Sequence, residues 1–263
     1  MLIGLRCPDN TNTSGDCVTW EQCLSRRCSN CLPYAVRYAI YKSNPPRNRW
    51  FSPSTITGCL RKAKWEIEND YYLSPFNLYA AMRGSIIHKI LEYDDSDALV
   101  EIVTQRIIPG TDILLRGMID RLENNILYDY KTMGDPGFKG FLDKPVAKYK
   151  HVWQVNIYKW LLSEKYKVDD IKIVYIGMNN LAITGEHMKC DDWTMKMNYD
   201  MKPCPYYTND RIYDFIKEKA DIISKNETPP ADSTDPWLCG ICPFTDKCKG
   251  NTQRIIKRKE LPF

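Results

Sequence analysis

Apolar positions along this chain alternate between a helical and a strand-like period. FSPSTITGCLRKAKWEIEND predicts a helix with Ser52 or Ser54 as its N-cap, because a short hydroxyl side chain can accept from an otherwise unpaired first-turn N–H. A second helix is predicted through NLYAAMRGSIIHKILEY, where Ile86, Ile87, Ile90 and Leu91 recur at helical spacing. The period then shortens. ALVEIVTQRII, DILLRGMIDRL and NILYDYKT are short and rich in β-branched residues, and predict strands. Asn124-Asn125 predicts a tight turn between the last two. A helix follows in KYKHVWQVNIYKWLLSEKY, then two strands in DIKIVYIGMN and LAITGEHMKC. The amphipathic helix TNDRIYDFIKEKADIISKN comes before Pro229-Pro230. This order predicts an α/β or α+β domain with helices flanking a central sheet. The sequence has no internal repeat and no low-complexity tract.

Residues 1 to 48 read differently. They are cysteine-rich and end at SNPPRNRW, whose proline pair cannot continue a helix. The expected division is a small module over 1–48 and a larger domain over 49–263. The 263 residues, 43% of them apolar, suffice for one real core and an accessory module. No stretch approaches the ~18 apolar residues of a membrane helix. The start, MLIGLRCPDN, lacks the apolar run of a signal peptide. The expected location is the cytoplasm, with no membrane partner. A net charge of +4 is compatible with a nucleic-acid partner without requiring one.

Three residues then stand out as chemistry. Asp129 and Lys131 are two apart on one predicted strand, so they share a face. The preceding hairpin can bring Asp120 beside them. Adjacent carboxylates are costly unless a cation lies between them, and oxygen donors suit Mg²⁺. A neighbouring lysine can orient water and steady a phosphate. These are the parts that phosphodiester hydrolysis needs. His88 lies on the helix upstream of the sheet, and Gln154 and Tyr158 are four apart on one helix face.

The 11 cysteines extend the picture. Without an export signal, reduced thiols and metal binding are expected ahead of disulfides. WLCGICPFTDKCKG places Cys239, Cys242 and Cys248 in a compact segment. Thiolates select zinc or iron–sulfur, and Cys59 is a candidate fourth ligand. At the other end, Cys28-x-x-Cys31 is a zinc half-site. Its second pair must come from Cys7, Cys17 and Cys23, with Cys7 and Cys23 preferred. Such a zinc module would let a short segment fold with little core, and could grip DNA or a partner. Cys190 and Cys204 fall outside both groups.

Taken in order, S-P-S-T-I, R-G-S-I-I-H, G-M-I-D, D-Y-K-T and Q-V-N-I-Y resemble the RecB-like branch of the PD-(D/E)XK nucleases. The resemblance covers residues 52 to about 160, and the tail extends it to 248. It implies a restriction-endonuclease-like α/β core with a central mixed sheet flanked by helices. It also implies Mg²⁺ or Mn²⁺ held by His88, Asp120, Asp129 and the Tyr130 carbonyl, with Lys131 as catalytic lysine. Gln154 and Tyr158 match the Q-x-x-x-Y motif beside the active site. One upstream cysteine plus C-x-x-C-x5-C resembles the [4Fe–4S] arrangement of AddB-type nucleases and of the CRISPR-associated exonucleases of spacer acquisition. The cysteine-rich start departs from the latter. The implied activity is an exonuclease on single-stranded DNA ends, in DNA processing, recombination or spacer acquisition, where other DNA-processing or CRISPR adaptation proteins would be partners. A non-catalytic DNA-binding or assembly subunit is the alternative, and the intact set of His88, Asp120, Asp129 and Lys131 argues against it.

Overall fold

The computed structural model describes residues 2–6, 17–25, 33–43, 50–91, 93, 97–133, 147–177, 199–225, 227–231 and 236–249. The chain forms two compact units. One comprises residues 1–49, 58–82 and 221–263, and the other residues 50–57 and 83–220.

The second unit is built on a five-stranded sheet. Its strands are β4 (Leu99–Ile107), β5 (Leu114–Glu123), β6 (Ile126–Met133), β7 (Asp170–Gly177) and β8 (Tyr199–Pro203), in that spatial order. β6 and β7 run parallel and the other pairs antiparallel, so the sheet is mixed. The parallel pair requires a crossover, supplied by helix α6 (Tyr149–Leu162). The Asn124-Asn125 turn forms, with φ of 50° and 60°. Two successive positive φ values match the right-handed twist of the flanking strands, and asparagine tolerates them.

α6 is the centre of this unit, with every residue from Val152 to Leu162 buried. Arg106 on β4 lies 4.2 Å over the Trp160 ring, and Thr104 Oγ1 donates to the Leu161 carbonyl at 3.2 Å. On α7 (Asn209–Ser224), Phe215 stacks on Trp153 at 3.8 Å and 11°. A helix buried all round must satisfy its internal polar groups locally. Asn156 does so by donating to the Val152 and Pro205 carbonyls and accepting from Tyr207 N.

The other unit has a three-stranded sheet of order β2–β1–β3, made of β1 (Leu2–Arg6), β2 (Cys17–Thr19) and β3 (Tyr71–Leu73). Its helices include α1 (Trp20–Ser25), α2 (Tyr34–Ser43) and α4 (Leu60–Glu68). Leu2, Leu5, Trp20, Cys23, Ile40 and Leu78 form its buried cluster.

One expectation is revised. The helix predicted from residue 51 is two helices, α3 (Pro53–Ile56) and α4, broken at Thr57-Gly58-Cys59. Ser52 is the cap of α3, its Oγ accepting from Thr55 N at 3.1 Å. Thr57 ends the helix by turning its hydroxyl back to the Pro53 carbonyl at 2.9 Å, the local competition that disfavours threonine in helix interiors. The strand predicted over LAITGEHMKC lies outside the described residues. The strand that follows β7 in the sheet is β8.

Candidate active site

The candidate residues gather where β5 and β6 part. Their ladder covers three pairs, Glu123↔Ile126, Leu122↔Leu127 and Arg121↔Tyr128. β6 goes on pairing with β7 as far as Met133↔Gly177. The edge of β5 that β6 leaves is taken further along by Phe51, which receives Arg116 N and donates to the Leu114 carbonyl. Asp120 sits at the fork. Its Oδ2 accepts the Tyr130 backbone N–H at 2.7 Å, doing with a side chain what a ladder carbonyl would have done.

Helix α5 (Pro75–Leu91) brings His88 to the fork, Nδ1 lying 3.2 Å from Asp120 Oδ1. Gly84 suits this approach, because a Cβ there would make a tight 3.1 Å contact with Thr132 Oγ1. The hydrogen bond from Asp120 holds the His88 imidazole above its usual pKa, against the opposing effect of burial.

Asp129 is 2% exposed, the most secluded carboxylate of the group. Lys131 Nζ lies 2.7 Å from its Oδ2. The carboxylate is therefore charge-paired inside the protein, with its Oδ2 shielded from solvent. Burial pushes the Asp129 carboxyl above its ordinary range, the Lys131 charge pulls it back, and the Asp120 charge adds to the rise. A buried carboxylate beside a second carboxylate and a histidine nitrogen is a donor set that a hard divalent cation would satisfy.

This raised pKa has a measurable consequence. A carboxyl whose folded pKa exceeds its unfolded value contributes stability that is full below the unfolded pKa. That stability is lost as pH rises through the folded value. In EDTA, Asp129→Asn is therefore expected to gain Tm relative to the parent as pH rises from about 4 towards neutrality. A difference that stays constant over that range contradicts the assignment.

On α6, Gln154 Nε2 donates to Tyr158 Oη at 3.1 Å, so the two motif residues form one buried pair. Tyr158 explains the glycine of G-M-I-D. A Cβ on Gly117 would lie 2.5 Å from Tyr158 Cε1 and 3.3 Å from Pro53 Cδ. Gly117→Ala is expected to destabilise the protein by about 1–3 kcal/mol through overpacking, read as a lower Tm. An unchanged Tm would show that the ring yields without cost.

The sequence reading missed two residues here. Tyr175, fully buried, is the β7 partner of Lys131, and residues paired across a ladder share a face. Its hydroxyl accepts from Lys148 N at 3.2 Å and bonds His151 Nδ1 at 2.9 Å. Burial, then the positive charge of Lys131, depress His151 to a pKa of about 2, so it is neutral at any working pH. The signal was present: His151 stands three residues before Gln154, one turn along the same helix face.

The cysteines fall as follows. Cys59 is the N-cap of α4 and makes no side-chain capping bond. Cys239 lies in α8 (Pro236–Gly240), Cys242 follows it, and Cys248 lies in α9 (Thr245–Lys249). All four belong to one unit. Arg61 Nη1 donates to Cys248 Sγ at 3.2 Å. Burial pushes the Cys242 thiol up, and Cys59 is near enough to add to the rise. Cys23 is buried in α1, with Arg37 Nη1 3.9 Å from its Sγ. Cys7, Cys28 and Cys31 lie outside the described residues, as does Cys190. Cys204 is a buried thiol 3.7 Å from Asn156 Nδ2. Among the described residues, no three His, Cys, Asp or Glu side chains converge into a formed metal site. No described helix is long and apolar enough to cross a membrane.

Comparison with known proteins agrees with the geometry. No curated protein matches the chain. Among solved structures, the crystal structure of SSO0001 is similar with a TM-score of 0.54 and 19% identity. The match covers 84% of this chain and 96% of that one, and shows a shared fold. Residues 89–249 match the model of the PD-(D/E)XK nuclease superfamily, whose members are typically metal-dependent nucleases. With the forked mixed sheet and its acidic pair, that match over more than half the chain means that this protein belongs to the PD-(D/E)XK nuclease superfamily.

Proposed function

We propose that the protein is a metal-dependent deoxyribonuclease that removes nucleotides from single-stranded DNA ends. The observation that carries this reading is the buried Asp129 carboxylate, paired with Lys131 at 2.7 Å, beside Asp120 and the His88 nitrogen bonded to it. His88, Asp120, Asp129 and the Tyr130 carbonyl would hold Mg²⁺ or Mn²⁺. A divalent cation in such a site polarises the phosphoryl group and lowers the pKa of water. Lys131, held 2.7 Å from Asp129 Oδ2, would orient the attacking water. The water oxygen bonds to phosphorus, the bond to the departing sugar oxygen breaks, and a proton passes to that oxygen. Gln154 and Tyr158, locked together, hold the α6 face opposite this chemistry.

The same reading gives Cys59, Cys239, Cys242 and Cys248 a [4Fe–4S] cluster. Support comes from their common unit, from the absence of a side-chain capping bond at Cys59, and from the Arg61 guanidinium 3.2 Å from Cys248 Sγ. A zinc ion on Cys7, Cys23, Cys28 and Cys31 would complete the module of residues 1–48. The order of the motifs supports a place among the AddB-type or CRISPR-associated exonucleases, working in the cytoplasm with other DNA-processing proteins.

End-labelled single strands and circular single strands, incubated with Mn²⁺, test the exonuclease part. Stepwise shortening from one labelled end with intact circles is expected, and the labelled end that is lost gives the polarity. Cut circles would make the enzyme an endonuclease.

A further inference from the structure

We propose that helix α2 carries a binding platform for single-stranded nucleic acid, formed by Tyr34, Tyr38 and Lys42. It rests on the reading of single-stranded DNA as substrate and adds a site outside the catalytic residues.

The helix is divided cleanly. Ile40 is fully buried, Arg37 is 4% exposed, and Val36 and Tyr41 pack against the cluster of Leu2, Leu5, Trp20 and Cys23. Those positions account for the anchoring of α2. Tyr34, Tyr38 and Lys42 follow at intervals of four along a different stripe, where side chains lie one above the next. Tyr34 is 56% and Tyr38 41% exposed, so neither ring contributes much to the core.

Their arrangement is ordered nonetheless. The two rings are nearly parallel, 18° apart, with centroids separated by 6.0 Å. Lys42 Nζ lies 5.5 Å from the Tyr38 centroid, and the Arg37 guanidinium lies 6.0 Å from that of Tyr34. Arg37 is itself fixed by donating to the Cys23 carbonyl. A pair of exposed, ordered tyrosine rings with a lysine at one end suits unstacked bases on a phosphate backbone. Base–aromatic stacking tolerates any sequence, and a nearby cation adds to it.

Charge points to the same occupant. From Gln22 to Trp65 the sequence contains no Asp or Glu, but six Arg and three Lys, nine positive charges in all. The whole chain carries a net charge of only +4, so the stretch of sequence that contains α2 is markedly basic. A polyanion is the complement of that segment, and exposed tyrosines select one whose bases are unpaired.

The test uses the full chain carrying Asp129→Asn, which prevents cutting, and fluorescence anisotropy with labelled dT20 and a 20-base-pair duplex. Tyr34→Ala/Tyr38→Ala is expected to weaken dT20 binding by about 10- to 100-fold. Tyr34→Phe/Tyr38→Phe should stay within about twofold of the parent, because the ring and not the hydroxyl does the stacking. Duplex binding should change by less than about threefold. Lys42→Glu should flatten the salt dependence of dT20 binding. The inference is overturned if the alanine pair binds dT20 as the parent does. It is also overturned if duplex and single strand lose affinity equally, or if the phenylalanine pair is as weak as the alanine pair. A parent that fails to bind dT20 overturns the single-strand reading as well, whereas a parent that binds with no effect of the tyrosines overturns the platform alone.

Discussion

Replacing Lys131 by alanine is expected to slow cleavage by about a thousandfold or more while leaving divalent-metal binding intact or tighter. The ammonium sits 2.7 Å from Asp129 Oδ2, a buried carboxylate oxygen. A cation entering the site competes with Lys131 for that oxygen, so removing the lysine removes a competitor. It also leaves a buried carboxylate with one counter-charge fewer, a deficit that a divalent ion would offset. What is lost is a fixed positive charge for the water and the phosphoryl oxygens, which acts in the transition state and therefore lowers kcat. Single-turnover cleavage and Mn²⁺ titration of the same preparation separate the two effects. Lost metal binding together with lost cleavage would make Lys131 a structural support of the carboxylates instead.

The second large effect is expected at Cys242. In anaerobically purified protein, Cys242→Ser should abolish bound iron and sulfide and lower Tm sharply. A cluster joining Cys59 to Cys239, Cys242 and Cys248 closes a loop of about 190 residues. By the loop-entropy argument for cross-links, such a closure is worth on the order of 5 kcal/mol. Without a metal, burial keeps the Cys242 thiol protonated and the neighbouring Cys59 opposes its ionisation further. A cation that binds both thiolates removes each cost. Iron and acid-labile sulfide in the parent but not the variant is the predicted result. Zinc in place of iron, or a parent with no metal, would dismiss the cluster and leave the nuclease reading standing.

The sequence was most legible where one period dominates a segment. Strands β4 to β7 and helices α5 to α7 stand where hydrophobic spacing placed them, and Asn124-Asn125 turns as its residue types require. It was least legible in short elements that depend on distant partners. β1 pairs with β3, about 70 residues away, and nothing local in LIGLR announces that. The break between α3 and α4 falls at Thr57-Gly58-Cys59, which a pattern of apolar positions does not register. In the site, the two-residue spacing of Asp129 and Lys131 was readable, and so was the hairpin that brings Asp120 near. The fork that turns Asp120 towards the Tyr130 N–H was not, because it follows from Phe51 occupying the edge of β5. His151 was passed over for a related reason. Its meaning comes from Tyr175, on a strand two elements away from the motif lysine in sequence but paired with it in space.

The most direct test of the central claim is cleavage of an end-labelled single-stranded oligonucleotide by anaerobically purified protein. It would be run with Mn²⁺, Mg²⁺ or EDTA, beside Asp129→Ala. The account predicts cutting with metal, none in EDTA, and none by the variant at any metal concentration. Cutting that persists in Asp129→Ala, or a cluster-bearing parent that cuts no DNA with either metal, would contradict it.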